Sequence, residues 1–345
     1  MAWQIFVYMA ADSELAKQAP RTVAQFGALR KQTARLTALV DLPRGQTRVF
    51  RFPGGKSVRH PGVNTGDPDA LVDFFAGALD RSQPDDRVAL IIWNHGGGTL
   101  ALDRGSRSDF LTNQELRGAL AKVTALLKRG KLDLFGCDAC LTSTIDVAAT
   151  VVDYTEHFVA CETNIPNDGW SYRKILAVLQ DEPDMDGAAL ARLIATTYRV
   201  RAQDTVAAWD SGALRALLGR IDRLGVALTA SRGGRPGLID ARQSMIALED
   251  PDYVDLKTCL AQLSKQTDAR VKTRVKECAD ALEAARRAKR LTVSAPSRLS
   301  GLALRFPGLD QQSGFAVREL IPATKEESGW SRFFDSLSQR TEAIT

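Results

Sequence analysis

Short apolar runs alternate with helical stretches through the first half of this chain of 345 residues. The predicted strands cover residues 4–9, 36–41, 47–52, 87–93, 132–135 and 158–161. The predicted helices cover residues 13–32, 112–127 and 141–154, and a further helix begins at Pro68. Residues 87–93 are almost continuously apolar, which is typical of a strand that is buried on both faces. The alternation predicts an α/β fold with a mostly parallel sheet flanked by helices.

The second half of the chain is mainly helical. Helices are predicted for residues 172–179, 187–201, 213–228, 254–263 and 269–289, and strands for residues 205–209, 292–295 and 302–306. A segment rich in glycine and arginine, residues 231–237, is the best candidate for a loop between two lobes. We therefore expect an α/β domain over residues 1–230 and a mostly helical C-terminal lobe over residues 238–345 that completes the fold.

The composition excludes several classes of protein. With 44% hydrophobic and 25% charged residues, the chain is able to bury a sizeable core, which argues against disorder. Its net charge of +5 is spread along the sequence without a dense basic block, so we expect no nucleic acid partner. No run approaches the roughly 18 apolar residues of a membrane span, and no secretory leader is recognised. We therefore expect a cytoplasmic protein with no membrane partner.

The five cysteines, at positions 137, 140, 161, 259 and 278, are expected to be reduced thiols. Their number is odd, and a chain of this length does not need disulfides for stability. Cys259 and Cys278 have no cysteine or histidine partner at the spacing of a zinc site, and the acidic residues 181–186 are too irregular for a calcium loop. The sequence therefore predicts no metal site and no cofactor.

Two predicted strands end in residues that are able to do chemistry. Residues 87–93 are followed by Asn-His-Gly-Gly-Gly, with the histidine at His95 and the first glycine at Gly96. Residues 132–135 are followed by Gly-Cys-Asp-Ala-Cys, which ends at Cys140 directly before a predicted helix. Ligands gather at the carboxyl ends of parallel strands, so we expect His95 and Cys140 to meet at one edge of the sheet.

This combination favours a cysteine nucleophile. A thiol needs a base or a cation to become a thiolate, and a helix N-terminus lowers its pKa further; both are predicted for Cys140. The amides of Gly96 and Cys140 are candidates for an oxyanion hole, because glycine leaves its N–H uncovered. Taken singly, a histidine at a strand end is usually structural or solvated, and a cysteine near a helix start is usually a small packing residue. The pairing of the two is what favours catalysis.

Other interpretations of the same residues are weaker. Cys137-Asp-Ala-Cys140 matches the C-x-x-C motif of thioredoxin-type redox sites, but that leaves the His-Gly-Gly-Gly segment without a role. Gly96-x-Gly98-x-x-Ala101 matches a dinucleotide fingerprint, but polar loop residues follow where a helix should begin. A lipase-type serine hydrolase would need a G-x-S-x-G motif, which the sequence lacks.

In these segments the sequence resembles the clostripain family of cysteine peptidases, which lies within the caspase-like group together with legumains, gingipains and separases. The shared motifs are IIWNHGGG at residues 91–98, DACL at 138–141, YMAAD at 8–12 and TGDP at 65–68. Supporting landmarks are GWSY at residues 169–172, GL at 301–302, FP at 306–307 and Trp330. The likeness spans nearly the whole chain, and the His-Gly and Asp-Ala-Cys blocks are specific in combination.

The resemblance implies a caspase-like fold in which residues 1–230 form the catalytic domain. It also implies that the protein is a cysteine endopeptidase that cleaves polypeptides after arginine or lysine. It assigns a dyad without a third member, with Cys140 as the nucleophile and His95 as the general acid. Cys137 and Cys161 depart from the family pattern without removing a dyad residue. Members of the family differ in their need for calcium, so the resemblance adds no cofactor. No feature of the sequence indicates an oligomeric state.

Recognition of a basic P1 side chain needs a carboxylate in the S1 pocket, because an unpaired charge there is costly. Asp138 is a candidate because the Asp-Ala-Cys turn places it beside the nucleophile. The resemblance points to Asp168, just before Gly169, as a second candidate. An alternative interpretation makes Asp138 the cap of the helix predicted to begin at Leu141, and makes Asp168 a turn residue.

Self-cleavage is a further hypothesis. Residues 99–110 lie beside the predicted site and are polar and flexible in composition. Arg104 and Arg107 within this segment offer basic P1 residues to a peptidase of that specificity.

Two alternatives to an active peptidase stay open at this point. One is a caspase-like binding module whose catalytic activity has been lost, since fold alone does not fix function. The other is a C-x-x-C thiol oxidoreductase. The presence of both His95 and Cys140 argues against the first alternative.

Overall fold

A large β-sheet organises the fold. The computed structural model describes residues 2–97, 100–198, 204–231, 235–265, 268–288, 293–294, 298–306 and 328–342. In chain order its strands are β1 (Trp3–Ala10), β2 (Ala34–Asp41), β3 (Thr47–Phe52), β4 (Lys56–His60), β5 (Arg87–Trp93), β6 (Leu100–Asp103), β7 (Asp109–Leu111), β8 (Leu134–Asp138), β9 (His157–Ala160), β10 (Val206–Asp210), β11 (Tyr253–Asp255), β12 (Val293–Ser294) and β13 (Ala303–Arg305). Its helices are α1 (Ala19–Phe26), α2 (Pro68–Ala78), α3 (Asn113–Ala125), α4 (Ile145–Val151), α5 (Tyr172–Asp181), α6 (Gly187–Thr197), α7 (Ser211–Ala230), α8 (Arg235–Gln243), α9 (Leu256–Leu263), α10 (Ala269–Arg287) and α11 (Gly329–Glu342). A 3₁₀ turn, Glu14–Lys17, precedes α1.

Within the described residues the sheet has nine strands, in the order β12-β10-β9-β8-β5-β1-β2-β3-β4. The five central strands, from β9 to β2, are parallel. Antiparallel strands complete both sides. Two smaller ladders, β6 with β7 and β11 with β13, lie outside it. The predicted mostly parallel sheet with flanking helices is therefore confirmed.

The strand register gathers several chain segments at one edge of the sheet. Trp93 of β5 lies opposite both Met9 of β1 and Asp138 of β8. Ala10 of β1 lies opposite Asp41 at the end of β2. Because these strands are parallel, the residues that follow each of them leave the sheet on the same side. This side is called the carboxyl edge below.

Apolar side chains cover both faces of the sheet. Along β1, Phe6 and Tyr8 face one layer, while Ile5 and Val7 face the other. The first layer includes side chains of α2, α3, α4 and α7, and the second those of α1, α5 and α6. Side chains of the C-terminal helices α9, α10 and α11 belong to the first layer, where α10 and α11 pack against α7. The mainly helical C-terminal part is therefore continuous with the core.

Several predicted elements differ from the structure. The helix predicted for residues 13–32 is two shorter pieces, because Pro20 has no N–H with which to continue a helix from the preceding turn. Strands β4, β6, β7 and β11 were not predicted, since they are short and, in β4, largely polar. Parts of the predicted loop 231–237, strand 292–295 and helices 187–201 and 269–289 lie outside the described residues. No described helix is both long and apolar enough to cross a membrane.

Candidate active site

The segments that carry His95 and Cys140 touch at the carboxyl edge. Gly96 packs closely against the main chain of Cys140. A Cβ atom on Gly96 would overlap the Cys140 carbonyl oxygen and lie 3.0 Å from Cγ2 of Thr142. Only glycine fits this approach of two backbones. The structure thus brings together the chain segments that follow β5 and β8.

Asn94 fixes the segment after β5. Its side chain is buried, and its Oδ1 accepts the Leu102 N–H at 3.0 Å. Its Nδ2 donates to the carbonyl of Leu102 at 3.2 Å and also to the carbonyl of Ala10. A side-chain amide is suited to this place because it donates and accepts at once. Asn94 therefore ties the segment of His95 and Gly96 to β1 and β6. The position of Asn94 in the motif does not indicate this role.

Cys140 lies in a turn that links β8 to α4. Helix α4 begins at Ile145 and is capped by Thr144, so the prediction that Cys140 stands at a helix N-terminus is wrong. The reason is the hydrogen bonding of the intervening residues. The N–H groups of Thr142 and Ser143 both donate to the Cys161 carbonyl, at 2.8 and 2.9 Å, instead of starting a helix.

The turn that carries Cys140 is also supported from the far end of the chain. Ser143 Oγ donates to the carbonyl of Gly301 at 2.6 Å. The N–H of Ala303 donates to the Ser143 carbonyl at 2.8 Å. Glu162, fully buried at the end of β9, accepts the Gly301 N–H at 2.6 Å. The turn that carries Cys140 therefore rests on β13 as well as on the central sheet.

Burial raises the pKa of the Cys140 thiol. The Ile165 N–H, which donates to Sγ at 3.3 Å, opposes this effect, whereas the negative charges of Glu249 and Asp138 add to it. The protonated thiol is thus the favoured form in this structure. Formation of the thiolate therefore requires a proton acceptor close to Cys140.

His95 is 28% exposed and lies beside an acidic side chain. Its Nε2 is 3.2 Å from Oε1 of Glu14, which belongs to the 3₁₀ turn after β1. The sequence motifs did not point to Glu14. The signal that would have found it is its place just after β1, the strand that pairs with β5.

The two aspartates predicted to line S1 have different environments. Asp138 is only 3% exposed, and both its carboxylate oxygens lie 3.1 Å from the N–H of Trp170, which donates to them. Burial raises the pKa of Asp138 to about 7, against the effect of the Trp170 N–H and the Tyr172 hydroxyl. The alternative role of Asp138 as a cap for a helix at Leu141 is wrong, since Thr144 caps that helix.

Asp168, in contrast, is exposed. It lies in a turn closed by the Gly169 N–H, which donates to the Pro166 carbonyl at 2.9 Å. Gly169 has a φ of +60° there. A Cβ atom on Gly169 would lie 2.6 Å from Oδ2 of Asp138, so the turn that carries Asp168 lies against the Asp138 carboxylate. The negative charge of Asp168 adds to the raised pKa of Asp138.

Cys137 is fully buried in the apolar layer that also contains Phe135. Burial raises the pKa of its thiol well above the usual range, so the thiol is inert towards exchange. All five cysteines are free. A buried, protonated Cys137 does not support a thioredoxin-type partnership with Cys140.

Three carboxylates that the motifs did not link meet at the carboxyl edge. Asp12, Asp41 and Asp103 each present an oxygen, and these oxygens lie within 4.8 Å of one another. Burial raises the pKa of Asp41 to about 6, and the charges of Asp103 and Asp12 add to the effect. Among the described residues, these three have the spacing and chemistry to hold a hard cation. The sequence does not foresee the cluster because its members come from three separate segments.

The self-cleavage candidates lie on the hairpin formed by β6 and β7. The described residues 100–110 form this hairpin, and Arg104, which directly follows β6, contacts other segments. The Arg104 N–H donates to the Asp12 carbonyl at 3.0 Å, and its Nη2 lies 3.2 Å from Oε2 of Glu14. Arg107 is exposed at the hairpin tip with a φ of +61°.

Three solved structures share the fold over almost their whole length. A secreted C11 cysteine protease from Bacteroides thetaiotaomicron, in complex with an irreversible peptide inhibitor, has a TM-score of 0.67 at 14% identity, covering 98% of this chain and 99% of that one. The secreted C11 protease iotapain from the same organism has a TM-score of 0.67 at 16% identity, covering 96% and 98%. An inactive zymogen C11 protease from Parabacteroides distasonis has a TM-score of 0.62 at 18% identity, covering 96% and 97%.

The sequence itself also matches a family. No protein of curated function is similar enough in sequence to count as a relative. The sequence model of the clostripain family, however, matches residues 54–281, which include His95, Gly96 and Cys140. The solved structures agree with this match in fold. The chain therefore belongs to the clostripain family of cysteine peptidases and acts on polypeptides.

Proposed function

We propose that the protein is an endopeptidase in which Cys140 is the nucleophile and His95 the general acid, with cleavage after arginine or lysine. The observation that carries this proposal is the contact of Gly96 with the main chain of Cys140 at the carboxyl edge. It sets the segment of the histidine directly against the turn of the cysteine. The family resemblance supports the same two residues.

The reaction begins when the Cys140 thiol gives its proton to His95 and the thiolate attacks the scissile carbonyl carbon. The oxyanion that forms accepts hydrogen bonds from the amides of Gly96 and Cys140. Neither amide donates to another main-chain group within the described part of the chain. His95 then returns the proton to the leaving amine, and a thioester remains on Cys140. Water hydrolyses the thioester and frees the thiol.

Specificity for a basic P1 residue is supported by the two aspartates near Cys140. Asp168 is exposed, whereas Asp138 is buried. With a pKa of about 7, Asp138 is only partly ionised at neutral pH. An arginine guanidinium beside it would favour the ionised form and so gain a second charged partner.

We expect Asp168→Asn and Asp138→Asn each to lower kcat/KM for an Arg-P1 peptide by at least about tenfold, or 1.4 kcal/mol. The matched substrate carries citrulline at P1, which has the shape of arginine without the charge. For this substrate, kcat/KM should change little in either variant. Asp138→Asn should leave Tm little changed, since the asparagine Oδ1 is still able to accept the Trp170 N–H. Asp168→Asn should leave Tm unchanged.

Asp181→Asn is the control for this pair, because Asp181 is an exposed aspartate whose partner is Lys31. In this control, the ratio of kcat/KM for the arginine peptide to kcat/KM for the citrulline peptide should match the wild-type ratio. If that ratio is also unchanged in both Asp138→Asn and Asp168→Asn, other residues select P1.

Self-cleavage on the β6–β7 hairpin is part of the proposal. Arg107 is the expected site, because it is exposed at the hairpin tip, whereas Arg104 is held by Glu14 and Asp12. Intact-mass spectrometry of the active protein should show fragments ending at and beginning after Arg107, with an uncut chain in Cys140→Ala. Arg107→Gln should prevent the cut and Arg104→Gln should not. An uncut chain in the active protein would exclude self-cleavage.

A fluorogenic peptide pair separates the peptidase from the two alternatives considered above. An Arg-P1 peptide should be cleaved and an Asp-P1 peptide spared, and alkylation of thiols should stop the cleavage. A location in the cytoplasm and the absence of a cofactor stay predictions.

A further inference from the structure

Glu14 lies beside His95 and has no part in the dyad proposed above. Its Oε1 is 3.2 Å from His95 Nε2, and its Oε2 is 3.2 Å from Nη2 of Arg104. The Glu14 and His95 atoms are at ion-pair distance, although their alignment is not that of a hydrogen bond. We propose that Glu14 is a positioning residue for His95 and acts as a third member of the catalytic group.

The fold holds the Glu14 carboxylate in this place. Ser13 caps the 3₁₀ turn by accepting the Leu15 N–H at 3.2 Å, and Leu15 anchors the turn in the apolar layer. The main-chain N–H of Glu14 holds the pKa of its own carboxyl below the usual range, with His95 and Arg104 adding to the effect. The carboxylate is therefore ionised at neutral pH and is oriented by several groups.

The chemistry follows from the geometry. With Glu14 at Nε2, Nδ1 is left as the nitrogen that takes the proton of Cys140 and passes it to the leaving amine. Glu14 takes no proton. Its negative charge stabilises the positive charge that His95 carries between the two transfers, and it keeps the ring in one orientation. Arg104 shares the same carboxylate and so limits this effect. The inference rests on the proposed role of His95 as general acid.

The test compares two leaving groups on one Arg-P1 acyl chain. The amine of an anilide must be protonated as it departs, whereas the phenolate of a p-nitrophenyl ester leaves without a proton. In Glu14→Gln we expect kcat/KM for the anilide to fall about tenfold and kcat/KM for the ester to fall by a smaller factor, because both substrates need His95 to take the proton of Cys140 but only the anilide needs it returned to the leaving group. Glu14→Asp, which keeps the charge, should recover most of the activity lost on the anilide.

Glu283→Gln is the matched control, because Glu283 is a half-exposed carboxylate that pairs with Arg286 and Arg287 on α10. Neither substrate should be affected by it. Equal losses on both substrates in Glu14→Gln, or no loss on either, would overturn the inference. His95→Ala separates this from failure of the proposed function. If His95→Ala selectively lowers kcat/KM for the anilide while Glu14→Gln does not, only the role of Glu14 is wrong. If His95→Ala keeps full activity on the anilide, His95 is not the general acid.

Discussion

Replacement of Cys140 by alanine is expected to lower kcat/KM for an Arg-P1 peptide by at least about a thousandfold, since no nucleophile remains. His95→Ala should come close to the same loss, because the leaving amine is then expelled without a proton. The fold should persist in Cys140→Ala, since the hydrogen bonds of Sγ to other described residues go to the main chain of Ile165. Peptide cleavage and thermal unfolding measured on the same preparations check both parts.

Cys137→Ala is the control for this prediction. Cys137 is fully buried and packs among apolar side chains, so its truncation should cost on the order of 1 kcal/mol of stability and little activity. An inactive, folded Cys137→Ala would support the redox interpretation at the expense of the peptidase mechanism.

Gly96→Ala is expected to have the second largest effect. The added methyl group would overlap the Cys140 carbonyl oxygen and press on Thr142, so the turn that carries Cys140 has to move away from Gly96. A displacement on the order of 1 Å at a catalytic group costs about a hundredfold in kcat/KM. Overpacking of this kind also lowers the free energy of unfolding by about 1–3 kcal/mol. Steady-state kinetics and urea unfolding of the one variant measure both effects.

Gly118→Ala supplies the comparison. Gly118 is an exposed glycine inside α3, and a Cβ there meets no neighbouring atom. The substitution should leave kcat/KM unchanged and raise the free energy of unfolding by about 0.5–1 kcal/mol. Were Gly96→Ala to keep kcat/KM within about threefold of the wild type, the close contact would have no catalytic importance.

The sheet was predictable because burial on both faces forces long apolar runs, as in Arg87–Trp93. The meeting of the His-Gly and Asp-Ala-Cys segments was predictable too, since parallel strands end at one edge. The start of α4 was not. Thr142, Ser143 and Thr144 are all suitable capping residues, and only the tertiary hydrogen bonds to Cys161 and Gly301 determine that Thr144 is the cap.

Residues that act across strands were the hardest to foresee. Glu14 reaches His95 only because β1 and β5 are neighbours. Asp12, Asp41 and Asp103 meet for a similar reason. The spacing of these residues in the sequence does not indicate their contacts, because spacing predicts contacts within one helix or strand and not between elements.

The support of the Cys140 turn by residues 301–303 has a consequence for how the chain matures. Ser143 exchanges hydrogen bonds with Gly301 and Ala303, which are among the last described residues before α11. During vectorial synthesis these partners emerge more than 150 residues after Ser143. A nascent chain on the ribosome therefore carries Cys140 in a turn that lacks its final support. A chain in which residues 301–303 have not yet been synthesised is therefore expected to lack proteolytic activity.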